Sequence, residues 1–205
     1  MKLIDISMEI SGGMPVYKGR DAKRPVLTVD ADFSTGSVYE SRLQMNLHTG
    51  THIDSPLHMI PGGDVIGLFK PERLICSCKA LDFSHVEDKI TRSELENKGI
   101  GQGDFVLLKT KNSYLDILEG DYVYLDETGA DYLREKGAGG VGIDALSIER
   151  GCPDHKTHKI LFSADILILE GLRLASVEEG EYFLMAAPLK IAGVEAAPVR
   201  AFLML

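Results

Sequence analysis

The residues of this sequence best suited to chemistry lie in one short segment, His48-Thr-Gly-Thr-His52-Ile-Asp54-Ser-Pro-Leu-His58. Imidazole nitrogens and a carboxylate are ligands that Zn²⁺ favours, and Mn²⁺ or Fe²⁺ accepts the same set. An ion held in this way lowers the pKa of a bound water and supplies a hydroxide nucleophile near neutral pH. The alternative is a set of surface or hydrogen-bonded histidines without a metal. Because three histidines and an aspartate cluster here, we favour a metal centre.

The spacing of these four side chains predicts how the backbone presents them. All four stand at even positions, so an extended chain directs them to one face, whereas Gly50 and Pro56 disfavour a helix. Polar and apolar residues also alternate over 39–47, which predicts a strand with one polar face. We therefore expect an extended chain that runs on through His48 to Asp54 and bends at Pro56.

Further ligands must come from distant parts of the chain. His155 and His158 precede a predicted helix, and Glu170 follows the apolar run Ile166–Leu169. The carboxyl end of a strand is where α/β proteins place functional groups, although position alone favours a solvated strand end for Glu170. His85 stands alone after a predicted strand, and we expect it to be structural or exposed.

The elements that must position these residues follow an α/β pattern. Strands are predicted at 3–10, 74–83, 105–110, 140–144, 166–169, 183–188 and 194–205. Helices are predicted after a capping box at Ser93-x-x-Glu96, over 128–136 before Gly137, and over 157–163. This order implies parallel strands in the C-terminal half and an extensive, barrel-like sheet. Since no repeat or linker marks a boundary, we expect one domain over residues 1–205.

Composition excludes several classes of protein. The net charge of -9 and the lack of a basic run argue against nucleic acid as a partner. No apolar run approaches the roughly 20 residues of a membrane span, and no export signal is evident, so we expect a cytoplasmic protein. Cys76, Cys78 and Cys152 are expected to be reduced, with Cys76 and Cys78 as strand neighbours rather than a Cys-x-Cys metal site.

The motif His48-x-Gly50-Thr51-His52-x-Asp54-x-Pro56-x-His58 resembles the signature of the cyclase-like metal-dependent hydrolases, a family that includes bacterial kynurenine formamidases and isatin hydrolases. The resemblance covers nearly the whole chain. Leu3-Ile-Asp-Ile-Ser7 and Met14-Pro-Val-Tyr-x-Gly19 are similar to the opening of the family. Val141-Gly-Ile-Asp144-Ala-Leu-Ser147 is similar to its central Gly-x-Asp-x-x-Ser element. The segment from His158 to Glu170-Gly-Leu172 is similar to its C-terminal metal motif.

The resemblance implies a swivelling β/β/α fold around a β-barrel, assembled as a dimer or tetramer. It also implies a binuclear centre, with Zn²⁺ preferred, although some members hold a single Mn²⁺. His48, His52 and Asp54 would bind one ion, and Asp54 would bridge to a second ion that His158 and Glu170 complete.

The resemblance assigns further roles outside the ligand set. His58 would stay unliganded as the acid/base, whereas His155 takes no role. Tyr17 stands where kynurenine formamidases usually carry Trp, so it would keep an aromatic face beside the substrate and add a hydroxyl.

The function that the resemblance implies is hydrolysis of an amide in a small molecule, most simply an aryl formamide such as N-formylkynurenine. His58 would donate a proton to the leaving amine. One alternative is a hydrolase of a cyclic aryl amide such as isatin, which the same ligands would serve. The other is a metal-binding or small-molecule-binding protein without catalysis, for which an unliganded His58 would have no purpose.

Overall fold

The main sheet draws its strands from both ends of the chain. The computed structural model describes residues 2–115 and 121–205. The strands are β1 (Leu3–Asp5), β2 (Val26–Ala31), β3 (Glu40–Gln44), β4 (His52–Asp54), β5 (Ile75–Asp82), β6 (Lys89–Ile90), β7 (Phe105–Lys109), β8 (Tyr124–Leu125), β9 (Gly140–Ile143), β10 (Leu167–Glu170), β11 (Gly180–Met185), β12 (Ala196–Pro198) and β13 (Phe202–Met204). The α-helices are α1 (Arg92–Leu95), α2 (Glu127–Lys136) and α3 (Lys156–Ser163).

Within the described residues, nine strands form one curled sheet in the order β1-β13-β11-β5-β7-β9-β10-β4-β12. Its centre, from β5 through β7 and β9 to β10, is parallel, and the outer pairs are antiparallel. Two small sheets, β2-β3 and β6-β8, stand outside it. The predicted α/β class, the barrel-like sheet and the parallel strands of the C-terminal half are therefore confirmed.

Helix α2 shows how local sequence sets the ends of an element. The side chain of Asp126 caps its first turn by accepting hydrogen bonds from the backbone N–H groups of Thr128 and Gly129, at 2.9 and 3.0 Å. Gly137 ends the helix in the left-handed conformation, with φ of 68°. The helix predicted over 128–136 with a stop at Gly137 is confirmed to within one residue.

The sheet separates two hydrophobic cores. One face of β7, represented by Val106 and Leu108, packs with the helical layer, which contributes Leu133 and Leu161 among others. The opposite face packs into the concave side of the curled sheet, where residues from both ends of the chain meet. Because every residue of β7, β9 and β10 is buried, these strands form a rigid base for the groups at their ends.

Several bounds of the predicted elements were wrong, among them the strand expected over 183–188, which is β11 at Gly180–Met185, and the strand expected over 194–205, which is divided into β12 and β13. The strand expected over 39–47 spans only Glu40–Gln44, and both of its faces are exposed because β3 pairs with β2 outside the main sheet. The first strand ends at Asp5. The capping box lies two residues earlier than predicted, with Thr91 and Glu94 as its partners, since Thr91 is the residue with the extended backbone of an N-cap.

The three cysteines are free thiols, as predicted. Cys76 and Cys78 lie in β5, where Cys78 is buried and Cys76 is half-buried. Burial raises the pKa of the Cys78 thiol to about 12, so this residue behaves as a small apolar side chain. Neither residue falls in a group of ligands that could hold a metal within the described ranges.

Candidate metal centre

Strand β4 lies between β10 and β12 and carries two of the predicted ligands. It is antiparallel to β10, and the register places His52 opposite Glu170. Paired residues of neighbouring strands project to the same face, so the His52 ring and the Glu170 carboxylate approach each other, with Nε2 and Oε2 3.4 Å apart. The expectation that a C-terminal carboxylate meets the early histidines is thus met by the pairing of two buried strands.

Two glycines allow the ligand-bearing segments to come this close. A Cβ atom on Gly171 would lie 2.2 Å from the carbonyl oxygen of Gly50, and both residues have positive φ. The hydroxyl of Thr51 donates to the carbonyl oxygen of Gly171 at 2.6 Å. Only glycine fits this crossing, because any larger residue would push the two backbones apart.

His48 and His58 also lie at the metal site, but their backbone conformations differ from the extended one that the sequence pattern predicts. His48 lies in a turn, with Gly50 at φ of 74°, and His58 lies in the 3₁₀ helix Pro56–His58. The prediction of one extended segment from His48 to Asp54 is therefore wrong, and only His52–Asp54 is strand. The bend predicted at Pro56 is present.

The ligand atoms surround the carboxylate of Asp54, which is fully buried. One oxygen, Oδ1, lies 2.9 Å from His48 Nδ1 and 3.4 Å from His52 Nε2. The other oxygen lies 3.8 Å from Nε2 of His158, which is itself 3.4 Å from Glu170 Oε1. The rings of His48 and His58 lie 4.0 Å apart, centroid to centroid. All six predicted metal-site and acid/base residues therefore converge, with Asp54 at the centre.

In the described part of the chain, three groupings of the donor atoms are close enough to hold an ion: one joins Glu149, His155 and His158, and the other two share Asp54. Asp54 forms one group with His48 and His58, and another with His52 and Glu170. The shared position of Asp54 matches the bridging role that the family resemblance implies, but the division of the histidines differs from it. Which side chain binds which ion stays a prediction.

The charges in this cluster favour a cation. Burial alone would lower the pKa of His52, but the carboxylates of Asp54 and Glu170 outweigh it and raise this pKa to about 10. In turn, the imidazoles hold the pKa of Asp54 well below its usual value against the effect of burial. The carboxylates are therefore anionic at neutral pH and stabilise positive charge in a place sheltered from water, whether imidazole protons carry it or a metal ion that replaces them.

Unsatisfied polar atoms test whether the site fits a metal. Among the described residues, both oxygens of Asp54 and the Nε2 atoms of His52 and His158 are buried and make no hydrogen bond. Such atoms are costly unless a ligand completes them. The Nδ1 atom of His52 lies 2.9 Å from the carbonyl oxygen of Gly50, a contact that leaves Nε2 free to bind an ion. The residues fit one or two metal ions.

A further acidic residue, Glu149, contacts two histidines, one of which is a predicted ligand. The Glu149 carboxylate is buried, and its Oε1 atom lies 3.0 Å from Nδ1 of His158 and 2.5 Å from Nδ1 of His155. Its other oxygen accepts a hydrogen bond from the backbone N–H of Thr157 at the start of α3. Glu149 therefore acts on His158 through its charge, since the Nδ1 atom of His158 makes no hydrogen bond among the described residues. The sequence analysis missed it because no spacing rule connects it to His158.

The donor atoms open onto a cavity of about 260 Å³. Its lining includes the predicted Tyr17 together with Lys23, Ser147 and His155. Lys23 was missed, although its place next to the Met14–Gly19 loop was a usable signal. Glu195, which lies 3.2 Å from Nε2 of His48, was also missed, although it precedes the strand that pairs with β4. His85 is exposed, as expected.

A buried set of imidazoles and carboxylates around a shared aspartate, open to a small cavity, defines the class of metal-dependent enzymes with an open coordination site. The particular family follows from comparison with known proteins. The chain belongs to the family whose model is described as "Putative cyclase", which matches residues 4–150.

Relatives with assigned names match the whole length of the chain. A kynurenine formamidase of Maricaulis maris is 31% identical, with 98% of this chain and 97% of the relative covered. A predicted metal-dependent hydrolase from Bacillus stearothermophilus is 48% identical and superposes with a TM-score of 0.89, over 98% of this chain and 97% of the other. Isatin hydrolase A from Labrenzia aggregata shares the fold, with a TM-score of 0.87 at 22% identity, over 100% and 93% of the two chains.

Proposed function

We propose that this protein hydrolyses an aryl formamide such as N-formylkynurenine. It is a metal-dependent amide hydrolase of the cyclase family. The observation that carries the proposal is the buried, unsatisfied carboxylate of Asp54 amid three imidazoles and Glu170. The kynurenine formamidases among the relatives support the choice of an aryl formamide as substrate.

We further propose that the centre is binuclear and prefers Zn²⁺, with Mn²⁺ as the alternative. His48, His52 and Asp54 would hold one ion, and Asp54, His158 and Glu170 the other. Nitrogen donors predominate at the first position, which supports a borderline metal rather than Mg²⁺ or Ca²⁺. When bound, the metal polarises the amide carbonyl and activates water.

The remaining chemistry falls to His58. Burial lowers the pKa of His58 to about 4, so its ring is neutral at pH 7 and can accept a proton. This value is lower than the near-neutral one expected from the sequence, because the ring is sheltered and lies among other imidazoles. In the proposed reaction the ring takes a proton from the attacking water and passes it to the nitrogen of the departing aryl amine, so that formate and the free amine result.

The decisive experiment combines metal analysis with hydrolysis assays. Protein loaded with Zn²⁺ or with Mn²⁺ would be assayed side by side on N-formylkynurenine and on isatin, with ion content measured by plasma mass spectrometry. Faster turnover of N-formylkynurenine supports the proposal. Faster turnover of isatin would favour the cyclic amide instead, and failure on a panel of aryl amides and esters would favour a binding protein.

The variant His58→Ala tests the role of the ring. We expect its metal content to match wild type while kcat falls about 10²–10⁴-fold, the usual contribution of an acid/base residue. If the metal is lost together with the activity, His58 is a ligand, and the groups that hold the ions must be reassigned.

We propose that the protein works as a single domain over residues 1–205 and as a homodimer or homotetramer in the cytoplasm. The β2–β3 hairpin supports self-association, because it exposes a row of apolar side chains outside the main sheet, namely Val26, Leu27, Val29, Phe33, Val38, Tyr39 and Leu43. Light scattering of wild type and Leu27→Ser would test this. No helix in the described ranges has the length and apolar character needed to cross a membrane.

A further inference from the structure

Lys23 is a cation on the wall of the metal cavity that the proposed mechanism does not use. It ends the short 3₁₀ helix Asp21–Lys23, and its side chain lines the cavity together with His48 and His58. It is half-buried. Burial lowers its pKa, and Asp54, Glu170 and Glu195 act on it in the opposite direction, which places the ammonium group within the field of the metal cluster.

The backbone of Lys23 is fixed to the same turn that carries His48. The hydroxyl of Thr49 donates to the carbonyl oxygen of Lys23 at 2.9 Å, and the Lys23 N–H donates to the carbonyl oxygen of Arg20 at 2.8 Å. The next residue, Arg24, donates from Nη1 to the carbonyl oxygen of Met14 at 2.8 Å. The stem of Lys23 is thus held at a set place beside the donor atoms.

Lys23 differs from other sheltered lysines in having no anionic partner within the described residues. The Nζ atom of Lys79 lies 2.6 Å from Asp104, and that of Lys109 lies 3.1 Å from Asp82. Among the residues that the structure describes, no carboxylate oxygen lies within 4 Å of the Nζ atom of Lys23. This atom instead lies 5.5 Å from the centroid of the Tyr17 ring. A sheltered charge normally has a partner, so its counter-charge is expected to arrive with a ligand.

Positive charge also lies beside Tyr17, the aromatic residue of the cavity lining. The ammonium group of Lys18 also lies near the Tyr17 ring, 5.1 Å from its centroid. An aryl group resting against Tyr17 would therefore meet positive charge at the ring. A neutral aryl amide makes no use of that field, whereas a carboxylate attached to the aryl group pairs with it.

We propose that Lys23 selects substrates that carry a carboxylate on the aryl side of the scissile amide. This inference rests on the proposed amide hydrolysis and narrows its substrate class to anionic N-acyl aryl amines. Lys23 also could pair with the acid released by hydrolysis. In both cases a carboxylate binds the ammonium group of Lys23. Two substrates that release the same acid, only one of which carries an aryl carboxylate, distinguish the two cases.

The test compares N-formylanthranilate with formanilide, which differ in the aryl carboxylate and both release formate. We expect the ratio of their kcat/KM values to fall about 10–100-fold in Lys23→Met, mainly through KM, because a charge-assisted hydrogen bond to the anionic substrate is lost. Lys23→Arg should restore most of the ratio. The matched control is Lys190→Met, which removes an exposed lysine that does not line the cavity and should leave the ratio within about twofold of wild type.

Binding measurements keep this test independent of turnover. Calorimetry on the metal-loaded protein should show the affinity for anthranilate falling in Lys23→Met by a similar factor. An unchanged ratio and an unchanged anthranilate affinity would overturn the inference, and so would an equal loss on both substrates, which would assign Lys23 to the released acid. If wild type hydrolyses neither substrate, the proposed function fails, and anthranilate binding still decides the role of Lys23.

Discussion

The two sides of the cavity are built in different ways. We call His52, Asp54, His158 and Glu170 the floor, and Tyr17, Lys23 and His155 the wall. Each floor residue is buried and belongs to a strand of the main sheet or to α3, which packs on it. Of the wall residues, Tyr17 and Lys23 lie in short 3₁₀ segments and His155 is the N-cap residue of α3, and all three are partly exposed. The difference teaches that the fold fixes the ion position, whereas loops that can vary independently of it decide which substrate reaches the ion.

The most severe test of this contrast is Asp54→Asn on the floor. An amide cannot supply the shared negative charge, so we expect metal content to collapse and kcat/KM to fall about 10³-fold or more. Plasma mass spectrometry and the formamide assay measure the two effects. The control is Asp64→Asn, since Asp64 is exposed and close in sequence. Retention of both ions in Asp54→Asn would contradict the central place of this residue.

Next in size is the backbone crossing beneath the floor. In Gly171→Ala the new Cβ meets the Gly50 carbonyl in addition to the left-handed strain, so we expect the free energy of unfolding to drop by about 3 kcal/mol. Gly193→Ala is the matched control, because Gly193 has φ of 74° and nothing within 4 Å of its added Cβ, and it should lose only about 1 kcal/mol. Urea unfolding at constant m value reports both. Equal losses would show that the crossing tolerates a side chain.

The smallest effect is expected at Glu149, which contacts the floor residue His158. We expect Glu149→Gln to weaken metal affinity about 10–100-fold, because His158 loses the negative charge 3.0 Å from its Nδ1 atom. Competition with a chromophoric chelator measures this affinity. Glu127→Gln alters an acid that contacts the same helix from its exposed side, through Lys156, and should leave the affinity unchanged. A similar loss in both variants would mean that helix stability, rather than the charge beside His158, is responsible.

The parts of the fold that the sequence predicts well are those governed by local rules. Periodicity predicts β5, β7 and β10 to within two residues, and Asp126 and Gly137 bound α2 by capping chemistry that acts within one turn. The candidate ligands were also predictable, because His52 and Asp54 share a face of one strand. The strand predicted over 39–47 shows the limit: its alternation is real, but whether the apolar face is covered depends on packing outside the hairpin.

The features that sequence reasoning missed depend on contacts between distant segments. Glu195 reaches His48, 147 residues away in the chain, through the pairing of β12 with β4. The turn that presents His48 could not be read from parity, since parity holds only for an extended chain and Gly50 has a positive φ. The place of Lys23 next to the Met14–Gly19 loop was a usable signal, but its lack of an ionic partner among the described residues becomes visible only in the folded chain.

The contact of Thr51 with Gly171 joins segments 120 residues apart, and the proposed ions would span the same gap. No such site exists in an extended chain, so each ion captured would act as a removable cross-link that favours the native state. The melting temperature should therefore rise with the free metal concentration and fall on dialysis against a chelator. In a cell that lacks the metal, less of this protein would be folded, so its abundance would fall with the ion supply before the catalytic rate of the remaining protein changed.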